Sequence, residues 1–158
     1  MPNDLLSTDP IVARMFYLEI DSEKLVLSGV SGLDLEMDVV SLQQVGKDGK
    51  VQHIKTLGQT TKVPSINVTR MAPMDAMSDP IWKWFNEIRT KGFTGTSRAT
   101  NRKNGSIVMY DTALKEVARF NFHNGWPSKI ATDALSTESN DPVKETITLS
   151  IELLDRVK

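Results

Sequence analysis

The chain contains no cysteine among its 158 residues. That absence excludes disulfide frameworks, thiolate zinc sites, iron–sulfur clusters and cysteine nucleophiles. Histidine is nearly as scarce: His53 and His123 are the only two. Neither has a second ligand-type residue at helical or strand spacing, so both read as sheet-surface residues rather than metal or catalytic groups. Charge of one sign is also lacking. Nineteen basic residues stand against 20 acidic ones, a net charge of −1, which removes the global electrostatic argument for a nucleic-acid or membrane-surface binder. No apolar run approaches the roughly 20 residues needed to cross a bilayer. Met1 to Ala13 has neither a basic n-region nor an apolar h-region. The chain is therefore expected to be made in the cytoplasm without a signal peptide. No Gly-rich phosphate loop, nucleophile elbow or Ser/His/Asp order is present. The expected catalytic residues, cofactors and metal ligands are accordingly none, and the protein is read as not an enzyme.

What the sequence does have is alternation. Residues 1–13 read as a flexible arm, and 14–158 as a single domain of ordinary globular composition. Phe16, Leu18 and Ile20 alternate with polar residues, the period of a half-buried strand. Ser28 to Gly32 is turn material. Leu33, Leu35, Met37 and Val39 alternate with Asp34, Glu36 and Asp38, and then the apolar phase slips to Val40 and Leu42. A slip of one residue reverses the faces, so the strand is bulged near Val39-Val40 or runs between two environments. Gly46-Lys47-Asp48-Gly49 is hairpin chemistry, followed by a weak strand at 51–57 and a turn at 58–61. Further strands are expected at 66–69, 106–111, 118–123 and, most regularly, 146–153; after Gly125-Trp126-Pro127, Ile130 either continues the 118–123 strand or starts a short edge strand. The strands show no βαβ rhythm, so the pattern points to antiparallel β-structure with a helix on one side.

One helix is predicted over about 80–91. Asp79 stands at its N-cap and Pro80 at its first position. Ile81, Trp84, Phe85 and Ile88 make its apolar face, and Gly92 ends it. Trp82 lies off that face and carries about 200 Å² of surface; a subunit interface and a wide intramolecular face are equally good homes for it. Asp34, Glu36 and Asp38 share a strand face by spacing, which could bind a cation or act as an acid/base pair but which a solvated face explains more readily. Arg98, Arg102 and Lys103 form a small basic loop. Met71, Met74 and Met77 are either core filling or adaptable contact surface.

Several segments, taken in order, resemble the tail tube proteins of contractile phage tails and extracellular contractile injection systems. They are Phe16 to Asp21, Val30-Ser31-Gly32-Leu33-Asp34 with Glu36, Ile66 to Arg70, the pair Trp82 and Trp84, Asn124 to Lys129, and the closing stretch Glu145 to Leu153. The resemblance covers roughly residues 14 to 156. The sequence departs from the family pattern at Gln43 to Gly49, at Leu57 to Pro64 and at Arg70-Met71. The resemblance implies two near-orthogonal antiparallel sheets forming a partial barrel with one flanking helix, a fold similar to that of the type VI secretion tube protein. It implies homo-hexameric rings stacked into a hollow tube inside a contractile sheath and driven through a target envelope. The expected partners are copies of the chain itself, a sheath protein, baseplate and spike proteins, and cargo in the lumen, with no membrane binding of its own and no specific nucleic acid. On this reading Gly46, Lys47, Asp48, Gly49 and Lys50 contact the next ring, as does the N-terminal arm. Asp34, Glu36 and Asp38 face the lumen, and Trp82 lies at a subunit interface. The alternatives are a tube-initiator or baseplate-end ring subunit and, in a different class, a monomeric small-molecule-binding β-barrel.

Overall fold

A computed structural model describes residues 14–62, 65–93 and 100–158, with the side chains of 59–62 outside that description. The expected arm at 1–13 and Arg98 lie outside the described residues. Among the described residues, ten strands and one long helix follow in order: β1 (Met15–Ile20), β2 (Glu23–Leu27), β3 (Gly29–Ser31), β4 (Glu36–Val45), β5 (Val51–Lys62), β6 (Ile66–Met71), α1 (Pro80–Lys91), β7 (Lys103–Tyr110), β8 (Glu116–Thr132), β9 (Lys144–Ser150) and β10 (Leu153–Arg156).

Eight strands form one hydrogen-bonded path, β2-β1-β7-β8-β9-β6-β3, with β10 pairing to β8; β4 and β5 form a separate two-stranded ribbon. The long strand β8 makes two layers from this path. Its first part pairs with β7 and its last part with β9. Between them Asn124 adopts a positive φ of 53°, a conformation that asparagine tolerates better than most residues. The corner lies at Asn124-Gly125-Trp126-Pro127, after which the sequence left open whether Ile130 continues the strand or starts a new edge strand. The chain bends and keeps its ladder, with a bulge between Pro127 and Lys129. The architecture is mainly β, with antiparallel sheets that do not close a barrel and one helix on the flank.

Three other sequence expectations are revised. Glu23–Leu27 and Gly29–Ser31 are strands, because β1 and β6 each supply an edge for them to pair with. The turn expected at 58–61 is absent, since β5 continues to Lys62 opposite Met37 and Glu36. The regular alternation at 146–153 is split: β9 ends at Ser150, and β10 changes partner to β8 and turns Leu154 inward. The helix spans the predicted residues.

The core lies between the two layers and the helix. Leu18, Ile66, Val68, Ile107, Phe122, Ile147 and Leu149 are wholly buried there, with Ile81 and Trp84 of α1 closing one side. Trp84 donates its indole N–H to the Asn101 carbonyl at 2.6 Å, which satisfies the one polar atom its burial would otherwise strand.

Candidate assembly site

Two arrangements stand out, one projecting and one buried. The projecting one is the β4–β5 hairpin, whose packing is overwhelmingly between its own two strands. Its root is fixed by Gly32, at φ 83°, where a Cβ would lie 2.2 Å from the Ser65 carbonyl oxygen. Only glycine allows the two legs to pass that closely. The phase slip in the sequence is a real bulge, between Met37 and Val39. Gly58 faces it: a Cβ there would meet the Asp38 Cβ at 2.7 Å. At the tip, Gly46 N–H donates to the Lys50 carbonyl at 2.8 Å, and Gly49 N–H to the Gly46 carbonyl at 2.9 Å. With Gly49 at φ 75°, this is the three-residue hairpin loop with a left-handed glycine.

Residues directly opposite in the ladder share a face. One face carries Val40, Leu42, Ile54 and Thr56; the other carries Val39 with Leu57 at the base and Val45 with Val51 at the tip, and Ser41, Lys55, Gln43 and His53 between them. All of these are exposed, Leu42 at 51% and Ile54 at 42%. An apolar ribbon uncovered on both sides is the kind of surface a monomer does not keep without a use.

The buried arrangement fixes the helix. Arg70 on β6 lies directly opposite Glu145 on β9. Its Nε donates to Glu145 Oε1 at 2.8 Å, and its two terminal nitrogens donate to the Asp79 carboxylate at 2.8 and 2.6 Å. Asp79 also caps α1, accepting from the Trp82 amide at 3.0 Å. Trp82 donates its indole N–H to Glu145 Oε2 at 3.3 Å and meets Phe85 edge-on. Arg70, Asp79 and Glu145 are 5%, 8% and 2% exposed. Burial would push the Asp79 carboxyl up, but the Arg70 hydrogen bonds, the Trp82 amide and the Arg70 charge outweigh it and hold the group below the usual carboxylate range. Burial likewise disfavours charged Arg70, and the two carboxylates reverse that and raise it.

A depressed folded-state pKa contributes stability that is full above the unfolded value of about 3.9 and is lost as pH falls through the folded value. Urea unfolding should therefore show a steep loss of stability below about pH 4. Asp79→Asn keeps a capping oxygen, should lower stability at pH 7 by about 1.5–3 kcal/mol, and should flatten that acid limb. An unchanged acid limb in the variant would show that other carboxylates carry it.

The other residues singled out from sequence fall as follows. Asp34 precedes β4, Glu36 opens it and Asp38 sits in the bulge, so a regular period of two does not carry all three. Gly46 to Lys50 form the hairpin tip. Arg102 pairs with Glu152 and lies over the Phe93 ring, while Lys103 pairs with Asp21 and lies over Trp84, so this basic segment is committed within the fold. Met71, Met74 and Met77 are all exposed and are not core filling. His123 lies 3.9 Å from Asp155 near the surface. No cluster of three metal-ligating side chains occurs among the described residues. The Arg70–Asp79–Glu145 cluster was missed from sequence. Its signal was an arginine in the inward phase of Ile66 and Val68, with a glutamate in the inward phase of Ile147 and Leu149.

Residues 12–155 match the family described as T4-like virus tail tube protein gp19. No match was found among curated protein sequences. Among solved structures, the chain is similar to one in the sheath/tube terminator of the PVC extracellular contractile injection system, at 20% identity and TM-score 0.74, over 96% of this chain and 99% of that one. It is similar to a chain of the PVC sheath-tube complex, at 21% identity and TM-score 0.71, over 93% and 90%. It is also similar to Hcp1 from Flavobacterium johnsoniae, at 16% identity and TM-score 0.56, over 91% and 95%. These likenesses are of fold.

Proposed function

The chain belongs to the T4-like virus tail tube protein gp19 family, and from that premise we propose that it builds the inner tube of a contractile injection system or contractile phage tail, as homo-hexameric rings that stack into a hollow tube. The observation that carries the stacking is the β4–β5 hairpin, which exposes apolar residues on both faces and, among the described residues, packs overwhelmingly on itself. Its tip, Gly46 to Lys50, reaches the next ring. Asp34, Glu36 and Asp38 face the lumen, where carboxylates repel acidic cargo and keep it from sticking. Trp82, anchored to Glu145 and only partly buried, presents its remaining surface to a neighbouring subunit. The outer partners are a sheath protein, in keeping with the similar chain from a sheath-tube complex, and baseplate and spike proteins at one end. The role is structural rather than enzymatic.

A ligand-binding monomer is not favoured, because the space such a barrel keeps open is filled here by Leu18, Phe122, Ile147 and Leu149. Chains from a sheath-tube complex and from a sheath/tube terminator share the fold about equally, at TM-scores of 0.71 and 0.74. Assembly length therefore separates a tube-body subunit from a tube-end ring. Negative-stain microscopy with light scattering of the purified chain should show hexameric rings and stacked tubes. Replacing Gly46–Lys50 by a two-residue turn should leave rings and block long tubes. Tubes of unchanged length in that variant would refute the hairpin's role. Rings that never stack in the unaltered chain would assign it to a tube end, and a compact monomer at high concentration would overturn the tube reading.

A further inference from the structure

The hairpin and a second apolar surface leave the sheet at opposite ends of one strand. The hairpin root lies at Gly32 and Ser65, beside the start of β6. The loop from Ala72 to Asp79 leaves at the other end of β6, five residues or roughly 17 Å away. There Met71 pairs with Lys144, and Ala72 N–H donates to the Val143 carbonyl at 2.9 Å. Asp133 N–H donates to the Lys144 carbonyl at 3.0 Å, bringing the 133–143 loop alongside. The two loops together expose Met71, Met74, Met77, Leu135 and Val143, with Met74 fully in solvent. Three methionines at one exposed place make an adaptable apolar surface.

The charges of the two ends are opposite. Residues 133–143 contain Asp133, Glu138 and Asp141 and no basic residue, and Asp75 lies on the neighbouring loop. The distal part of the hairpin, from Val39 to Leu57, contains Lys47, Lys50 and Lys55 against the single acid Asp48, with Glu36 and Asp38 nearer its base. An apolar ribbon carrying lysines is rooted at one end of β6, and an apolar surface edged with carboxylates lies at the other, on the same molecule. Two unlike, complementary surfaces generate a head-to-tail contact, which repeats without limit when it does not close.

We infer that the surface formed by Met71, Met74, Met77, Leu135 and Val143 receives the β4–β5 hairpin of a second copy of this chain in the adjacent ring. The inference rests on the stacking role proposed above and names the surface that the hairpin meets. Charge complementarity matches this surface to the hairpin of a second copy and fixes the register of one ring on the next.

The absence of cysteine makes the test clean. Val45→Cys would be combined in turn with Met71→Cys, Met74→Cys and Met77→Cys, and assembled tubes treated with a short bis-maleimide. At least one double variant should give a covalent ladder running past six subunits on a denaturing gel, while each single variant stays monomeric. A ladder ending at six would place the contact within a ring, and a dimer alone would make it symmetric; either overturns the inference. So does the absence of any product in all three. As an independent arm, Lys47→Glu with Lys50→Glu should raise the protein concentration needed for tubes by about tenfold, and adding Asp133→Lys, Glu138→Lys and Asp141→Lys should restore it. Failure of that rescue counts against the surface. If shortening the hairpin blocks tubes but no ladder or rescue is seen, the receiving surface is wrong and the hairpin's role stands. If shortening leaves tubes intact, the stacking role itself has failed.

Discussion

Arg70→Ala should lower the unfolding free energy by about 3–5 kcal/mol, measured by urea denaturation at pH 7. The magnitude follows from what is left behind. Arg70 neutralises two carboxylates that are themselves almost wholly inside the protein, and it holds them 2.6 and 2.7 Å from one of its nitrogens. Removing it leaves Asp79 and Glu145 as uncompensated buried charges of the same sign. Because domains of this kind are stable by only about 5–15 kcal/mol, the loss is a large share of the whole. The damage should concentrate at α1, since Asp79 is also the cap that accepts from the Trp82 amide. Arg70→Lys should recover only part of the loss, because an ammonium cannot reproduce the planar fork that meets both acids. A combined Arg70→Met, Glu145→Leu and Asp79→Ser variant removes all three charges, keeps a capping oxygen, and should be far less destabilised than Arg70→Ala alone. A loss under about 1 kcal/mol for Arg70→Ala would mean that the cluster is solvated in solution.

The second large effect separates folding from assembly. Leu42→Thr with Ile54→Thr should leave monomer stability within about 0.5 kcal/mol, because both side chains are exposed and threonine suits a strand. Assembly should suffer badly. Full burial of a Leu or Ile is worth about 1.5–3 kcal/mol; these two start half-exposed, so burying the remainder contributes roughly 2 kcal/mol per subunit contact. That corresponds to about a thirtyfold rise in the concentration at which tubes appear, which sedimentation and microscopy will read. Wild-type assembly from a variant with wild-type folding would remove this face from the interface. A fall in monomer stability instead would show that the hairpin packs on its own body.

Much of this organisation is legible in the sequence, and the unread parts share a cause. The helix was readable because its signals are local: Asp79, Pro80, the apolar spacing and Gly92 all lie within one short segment. The bulge was readable because a phase slip at Val39-Val40 is a one-strand property, although the slip itself falls at Met37-Val39. Partner choice is not local. Nothing within Glu23–Leu27 or Gly29–Ser31 says that β1 and β6 have free edges for them. The sequence left continuation past Gly125-Trp126-Pro127 open, because glycine and proline look like a turn until another strand is there to keep the ladder. The Arg70 cluster depends on residues far apart in sequence meeting across β6, β9 and α1. Only their shared inward phase was visible beforehand, and that required treating a charge in an apolar phase as information. The hairpin tip was legible as a turn, whereas the length of uncovered ribbon behind it was hidden by the turn expected at 58–61.

A ribbon that exposes apolar residues on both sides has a valence of two. One neighbour can cover Val40, Leu42 and Ile54 or cover Val39, Leu57, Val45 and Val51, but a single flat contact does not cover both. Each hairpin is therefore satisfied only when it is sandwiched, and a missing subunit leaves unmet surface on more than one of its neighbours. Vacancies in such a wall are penalised more than the loss of one pairwise contact, so partial rings are unfavourable and growth is close to all-or-none. A tube built this way is either whole or quickly dismantled, which suits an object that must bear load along its length.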